Sequence, residues 1–518
     1  MNMDTPPTLS KGSTRLTTAE RVAIALVMTV AVAFGGMVLL RSAFQNQRKT
    51  DLDVFSRAAW AVRTGQDVYA TYSDRSWNYL YPTFFAIVMT PLAEPPTART
   101  FDLIYNERAA WGRVHGADES ELALERQRLM RESDRLAALG LLREPGSGGA
   151  GGAGGAGYLP FWVSVASWYL ASLGMVMLSA HWIGASVQSA DRKMRAWTSR
   201  DRGWWMLRIW PVIFCAPAIF NGLSRGQSDA LVLLSIAAFL RLSSSTPPRR
   251  MLAGLALAVA PAVKVIPGLL ILYPLWRRDA RTLVGIALGG GLTLLVIPAM
   301  VFGPARAMDY NLRWLHVMGL PGLGLAGENA DASRKFELYG LSGTDSQNLL
   351  SVLHNIMNIG TPRGLRPDDP ASWLPLLVIV ACGAAVALSL WAMRWRPVEP
   401  GASLLSPARD ADPLLVPSVG VLLCVMLMVS PVTHAHYFAF LLPLMAWLVS
   451  LDVRRHLSQG VSRGTLALGL AYLTLHVLAR LNVFEWMLDV GVLLWVGVGI
   501  WMYACVRMRQ EGESLRYA

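Results

Sequence analysis

Val22-Ala23-Ile24-Ala25-Leu26-Val27-Met28-Thr29-Val30-Ala31-Val32-Ala33-Phe34-Gly35-Gly36-Met37-Val38-Leu39-Leu40 holds no charged residue. Wound into a helix, which rises about 1.5 Å per residue, residues 22–40 match the roughly 30 Å hydrocarbon core of a bilayer. Comparable runs recur to the end of the 518-residue chain, at 158–180, 205–221, 229–241, 251–262, 266–275, 282–302, 373–393, 414–430, 437–451, 464–479 and 486–506. Composition agrees, with 53% hydrophobic and only 16% charged residues and a mean hydropathy of +0.37. A soluble domain carries about a quarter charged residues and has no use for such runs. The expected fold class is therefore all-α: a polytopic integral membrane protein with about twelve transmembrane segments.

The net charge of +12 follows from where the arginines fall. With Lys193, they gather in short gaps between apolar runs: Arg192, Arg195, Arg200 and Arg202; Arg249 and Arg250; Arg277, Arg278 and Arg281; Arg454 and Arg455. The positive-inside bias produces that pattern, and it places these gaps in the cytoplasm. No basic stripe interleaved with aromatics is present, which argues against nucleic acid as a partner. The four cysteines, Cys215, Cys382, Cys424 and Cys505, lie far apart in or beside apolar runs, as small buried hydrophobes do. Residues 1–21 read as a cytoplasmic tail, 22–506 as one membrane domain with an uncleaved first span, and 507–518 as a second cytoplasmic tail.

Segments 251–262 and 266–275 are separated by Pro261-Ala262-Val263-Lys264-Val265-Ile266-Pro267. One continuous helix there would put Arg277 and Arg278 across the membrane from Arg249 and Arg250. Two half-helices forming a hairpin keep all four on one side. Proline breaks the helical hydrogen-bond ladder on either side of Lys264, so the hairpin is preferred. A broken helix at membrane depth must be covered by protein or line a water-filled cavity.

With that hairpin, residues 41–157 and 303–372 face the outside, and their acidic and basic residues nearly balance. The first outer loop carries a charged helical pattern over 118–143, with Leu122, Leu129 and Leu136 at heptad spacing. It reads either as a surface-lying helix on the Gly-rich tether 146–157 or as a lid or docking element. Segment 82–92 is too short to span and suits an interfacial or re-entrant helix.

Chemistry is expected where polar groups are held at the membrane or its edge, because leaving them there is expensive. Four clusters qualify, all near the outer face. Asp51-Leu52-Asp53, followed by Arg57, can be plain solvated caps or working carboxylates. Ser224-Arg225-Gly226-Gln227-Ser228-Asp229 is a turn richer in charge than a turn needs. Lys264 can snorkel or pair with an anionic ligand. His434 and His436 could ligate a metal, but no third ligand stands at a suitable spacing. The tally of metal-binding residues is accordingly none, although metal dependence stays open.

The stretches Asp51-Leu52-Asp53-Val54-Phe55-Ser56-Arg57-Ala58-Ala59, Gly65-Gln66-Asp67-Val68-Tyr69 and Tyr81-Pro82 resemble the start of glycosyltransferase family 87. Gly226-Gln227, Lys264-Val265-Ile266-Pro267 and Ser430-Pro431 through His436 are similar to later signatures of that family, in order. Three departures stand out, one of them the tethered helical insertion between Tyr81-Pro82 and the second span, where the family passes on with little delay. The family often has Asn two positions after the Gln, where this chain has Asp229. The Asn-Gln-Ser of the second loop is represented only by Ser346-Gln347-Asn348.

The resemblance implies a GT-C-type fold and transfer of a sugar, mannose by analogy, from a polyprenyl-phosphate donor to a lipid or glycan hydroxyl at the outer face of the cell membrane. It implies no cofactor. Asp51 matches the position of the family's general base, with Asp53 as the neighbouring alternative. Lys264, Arg225, Gln227, His434, His436, Arg57 and Gln347 are the expected donor-phosphate and substrate-binding residues. A lipid phosphate leaves with growing negative charge and calls for fixed cations. The competing class is a multipass secondary transporter or lipid flippase, with Lys264 and the histidine pair lining its path.

Overall fold

In the computed structural model the chain is described over residues 18–45, 48–114, 117–143, 157–191, 194–320, 341, 343, 346–362, 365–367, 369–393, 412–455, 463–479, 481, 484 and 486–517. The tail 1–17 and the Gly-rich stretch 146–156 lie outside the described residues. The described residues are helical with no named strand; a single isolated bridge joins Tyr72 and Asn78.

Apart from the short helices Thr83–Val88 and Trp486–Asp489, the helices are α1 (Thr18–Ala43), α2 (Leu52–Thr64), α3 (Ala98–Val114), α4 (Glu119–Ala138), α5 (Phe161–Ala190), α6 (Arg202–Arg225), α7 (Asp229–Ser243) and α8 (Arg250–Val263). They continue with α9 (Ile266–Trp276), α10 (Ala280–Phe302), α11 (Pro304–Trp314), α12 (Leu349–Met357), α13 (Leu374–Met393), α14 (Leu415–Val429), α15 (Ala435–Arg454), α16 (Arg463–Leu478) and α17 (Val492–Tyr517). Every apolar segment read from the sequence is helical. Seven of them, α1, α5, α6, α10, α13, α15 and α17, are long and apolar enough to cross a membrane by length and composition. The other five are too short to cross upright, so the expected number of twelve full crossings does not follow from the described helices.

Burial identifies which helices meet lipid. In α1, Val22 and Leu26 are each 62% exposed, and α13 turns Leu376, Ile379 and Val380 outward. By contrast, the residues of α14 and α15 are almost all buried. An apolar exterior around a closed apolar centre is what a bundle solvated by lipid requires.

The break at Lys264 is real. Helix α8 stops at Val263, Lys264 is extended at φ −138° and ψ 123°, and α9 begins as a 3-10 turn at Ile266. At the far end of the pair, Arg250 Nε lies 3.7 Å from Asp279 Oδ2. Residues 264–276 therefore return the chain to the end from which α8 started. Helices α8 and α10 then run in parallel, backbone against backbone: a Cβ on Gly254 would sit 2.2 Å from the Thr282 carbonyl oxygen, and one on Gly285 2.2 Å from that of Met251. Small residues permit such close approach between membrane helices.

Helix α10 carries a second proline solution. Pro298 cannot donate to the carbonyl of Leu294, and the helix widens into a π turn over Leu292–Val296 just before it. The orphaned Leu294 oxygen accepts from Asn311 Nδ2 at 2.6 Å.

Several boundaries depart from the sequence reading, and one helix is new. Helix α5 runs on to Ala190 instead of ending at 180, and α17 continues to Tyr517 through the stretch read as a tail. Helix α3 is an addition. It pairs with α4 through Arg108 and Glu125 and covers Leu122, Leu129 and Leu136, which are buried. The heptad leucines are thus the inner seam of a helical hairpin, not the face of a lone solvated helix.

Candidate active site

The chain leaves α1 and enters α2 through a clamp. Asp51 N–H donates to the Arg225 carbonyl at 2.7 Å, and Thr50 Oγ1 donates to the same oxygen at 3.1 Å. The carbonyl is presented by Gly226, which ends α6 at φ +67°. A side chain there would be strained, and its Cβ would lie 2.7 Å from Thr50 Oγ1. Trp168 Nε1 closes the turn from α5, donating to the Gly226 carbonyl at 2.9 Å.

So held, the Asp51 carboxylate meets the turn after α6, and through that turn Tyr81, Lys264 and the loop 434–437. Its Oδ2 accepts from Gln227 Nε2 and lies 3.3 Å from Arg225 Nε. Gln227 faces the other way with its carbonyl, accepting from Lys264 Nζ at 3.3 Å and from the Tyr81 hydroxyl at 3.5 Å. Lys264, at the helix break, pairs with Asp229 Oδ1 and stands 4.3 Å from the centre of the Tyr437 ring. His436 Nε2 lies 3.5 Å from Asp229 Oδ2, and His434 stacks on His436 with ring centroids 5.4 Å apart. Gln227, Asp229 and His436 also border a small, largely apolar cleft between α5, α6 and α7.

Burial pushes the Asp51 carboxyl above its ordinary pKa, although Arg225, Arg75, Lys264 and the Gln227 amide pull the other way. Both partners fall on Oδ2.

Asp53 lies in a different network. Residues two apart at a helix start point to different sides, and Asp53 turns to Arg48 Nη1 at 2.7 Å, Arg57 Nε at 3.7 Å and the Asp74 backbone N–H at 2.8 Å. Burial opposes its charge, but these partners outweigh it and hold the carboxyl below its usual range. Arg57 donates to Asp74 Oδ1 and to the Glu94 carbonyl, and Arg48 and Arg143 both reach the Glu94 carboxylate. The structure thus brings Arg57 and Asp53 together as a buried brace, apart from Lys264 and Gln227.

Gln347 is a brace as well. Its backbone N–H donates to the Thr433 carbonyl at 2.6 Å and its side chain to the Leu488 carbonyl at 2.9 Å. Ser346 accepts from Thr433 N–H, and Asn348 donates to the Pro431 carbonyl. Together they fix the loop that delivers His434 and His436. Three members of the cluster, Asp229, Tyr81 and Tyr437, were not singled out from sequence as site residues. Asp229 was the one with a signal, being a carboxylate where the resemblance leads one to expect an amide.

The sequence profile of glycosyltransferase family 87 matches residues 156–431, more than half of the chain. The chain belongs to glycosyltransferase family 87. The family 87 match takes in Arg225, Gln227, Asp229 and Lys264 and stops just short of His434 and His436, while Asp51 lies before it. Among curated proteins the chain is similar to a polyprenol-phosphate-mannose-dependent alpha-(1-2)-phosphatidylinositol mannoside mannosyltransferase of Mycolicibacterium smegmatis. The two are 26% identical over 262 residues, which is 48% of this chain and 50% of that protein. The chain thus spans about half the length of the curated relative it matches. Among solved structures it has a distant likeness to ArnT from Cupriavidus metallidurans bound to undecaprenyl phosphate. That likeness has 13% identity and a TM-score of 0.32, over 94% of this chain and 77% of the other.

Proposed function

We propose that this family 87 protein transfers mannose from a polyprenyl-phosphate donor to a hydroxyl of a lipid or glycan acceptor, at the outer face of the cell membrane. The observation that carries the reading is the convergence of Asp51, Gln227, Lys264 and His436 on one buried cluster. The activity named for the Mycolicibacterium relative supports the choice of donor.

In this reading the acceptor hydroxyl attacks the anomeric carbon as its proton passes to Asp51 Oδ1. The bond from that carbon to the phosphate oxygen breaks, and the lipid phosphate leaves with the electron pair. A single base acting without a nucleophilic carboxylate gives inversion at the anomeric centre. The departing phosphate is met by Lys264, with Arg225 and His436 beside it. Lys264 can serve without abandoning Asp229, because an ammonium group has three donors. The positive-inside bias of the arginine-rich helix ends supports an outer-face position for the Asp51 cluster, which stands at their other end.

The test is direct. Membranes or purified protein are given radiolabelled polyprenyl-phosphate-mannose, and labelled lipid or glycan is sought. Wild type should form a product that Asp51→Asn forms at a small fraction of the rate. Absence of any sugar transfer, with labelled donor merely moving between leaflets, would replace this reading with transport.

A further inference from the structure

About five turns back along α6 from Arg225, on the order of 25 Å away, lies Arg208, 7% exposed. All its described partners are neutral. Nε donates to His181 Nδ1 at 3.3 Å, Nη1 to the Trp204 carbonyl at 2.8 Å and Nη2 to Gln188 Oε1 at 2.7 Å. The Trp204 ring centre lies 3.7 Å from its Cζ. Burying a cation in a membrane protein without a counter-charge is costly, and no carboxylate among the described residues answers it.

The neighbours extend the same chemistry to the surface. His181 is exposed on the flank of α5, with its ring 5.8 Å from that of Trp204. Because Nδ1 accepts from Arg208, the neutral ring carries its proton on Nε2, and that nitrogen becomes a donor. Helix α7 packs on α5 and carries Arg241, exposed in its last turn, toward the end of the bundle where α6 begins. The result is an imidazole donor backed by one guanidinium, with a second guanidinium on the neighbouring helix and indoles at its edge. Trp rings and basic residues at the end of a span are features of the headgroup level.

We propose that His181, Arg208 and Arg241 form a binding site for a phosphate group, that of an anionic phospholipid, on the membrane surface opposite the Asp51 cluster. The lipid phosphate supplies the negative charge that Arg208 lacks within the protein, and the α5–α6–α7 contact is completed by it. The site is independent of sugar transfer.

Full-length protein, stripped of lipid in a neutral detergent, is titrated with phosphatidylglycerol, phosphatidylcholine or inorganic phosphate. The thermal midpoint and, by native mass spectrometry, the number of retained lipids are followed. Phosphatidylglycerol should raise the midpoint by several degrees and phosphatidylcholine should not. His181→Ala and Arg241→Gln should each lose most of that rise and retain one lipid fewer. A rise confined to phosphatidylglycerol assigns the lipid; an equal rise with inorganic phosphate assigns a free anion to the same three residues. Arg208→Gln is a third variant, and where it fails to fold the two surface variants decide. Equal rises with both lipids, or a phosphatidylglycerol rise undiminished in both surface variants, overturn the proposal.

Discussion

Two carboxylates two residues apart have opposite fates here, and their environments separate them. Asp51 is buried with its pKa raised, so its charge is a burden on the fold. A carboxyl whose folded pKa exceeds its unfolded value subtracts stability at neutral pH, and the deficit disappears as the pH falls below the unfolded value. Asp51→Asn should therefore leave the thermal midpoint unchanged or raised, while sugar transfer falls by about 10²–10⁴-fold, the range of general-base catalysis. In wild type the acid limb of kcat/KM should lie above the unperturbed carboxyl value of 3.8. Asp53 has the opposite sign. Its lowered pKa contributes stability that is complete above the unfolded value and is lost as the pH falls through the folded one. Asp53→Asn removes one partner from a buried ion network and should cost about 3–5 kcal/mol of stability, read as a lower midpoint with less folded protein. Lys264→Ala mixes the two effects, because it strands Asp229. Lys264→Met combined with Asp229→Asn should recover the midpoint without recovering transfer; recovery of both would remove Lys264 from the phosphate clamp.

At the scale of elements, the turn from α6 to α7 sets where Asp51 stands in the cluster. Gly226→Ala would force a strained backbone and push on Thr50 and Leu52, the two neighbours of Asp51. It should lower kcat several-fold or more while donor binding, measured by retention of labelled donor, changes little. Donor binding lost in proportion would mean that the turn positions the phosphate site instead. Much of this was legible beforehand. Apolar runs and arginine-rich gaps located each membrane helix, and Pro261 and Pro267 located the break. Boundaries were less legible, because polar residues inside α5 satisfy themselves on their own helix: Ser186 Oγ donates to the Trp182 carbonyl at 2.8 Å. Helix α3 was missed because its buried face depends on α4, which no local pattern in 98–114 announces. The four polar clusters were legible one by one. Their pairing was not, since Asp51 meets Gln227 across 176 positions and Gln347 turned out to grip a loop of backbone.

For the whole molecule, the approach of Arg250 to Asp279 commits both ends of the α8–α9 pair to one side of the membrane. In a cysteine-free background, single cysteines at positions 246 and 280 should both resist an impermeant thiol reagent in intact cells and both react after permeabilisation. A cysteine at Leu139, exposed beyond α4, should react in intact cells. Labelling at 280 but not 246 would require one continuous crossing and would dismantle the cluster around Lys264. The pairing of charges within that cluster reaches further. Asp51 with Arg225 and Asp229 with Lys264 cancel two by two, so these four groups present no net charge for a membrane voltage to displace. A potential does about 2.3 kcal/mol of work per elementary charge per 100 mV. An array that sums to zero should feel almost none of it, and the empty protein should be equally stable in energised and in collapsed membranes.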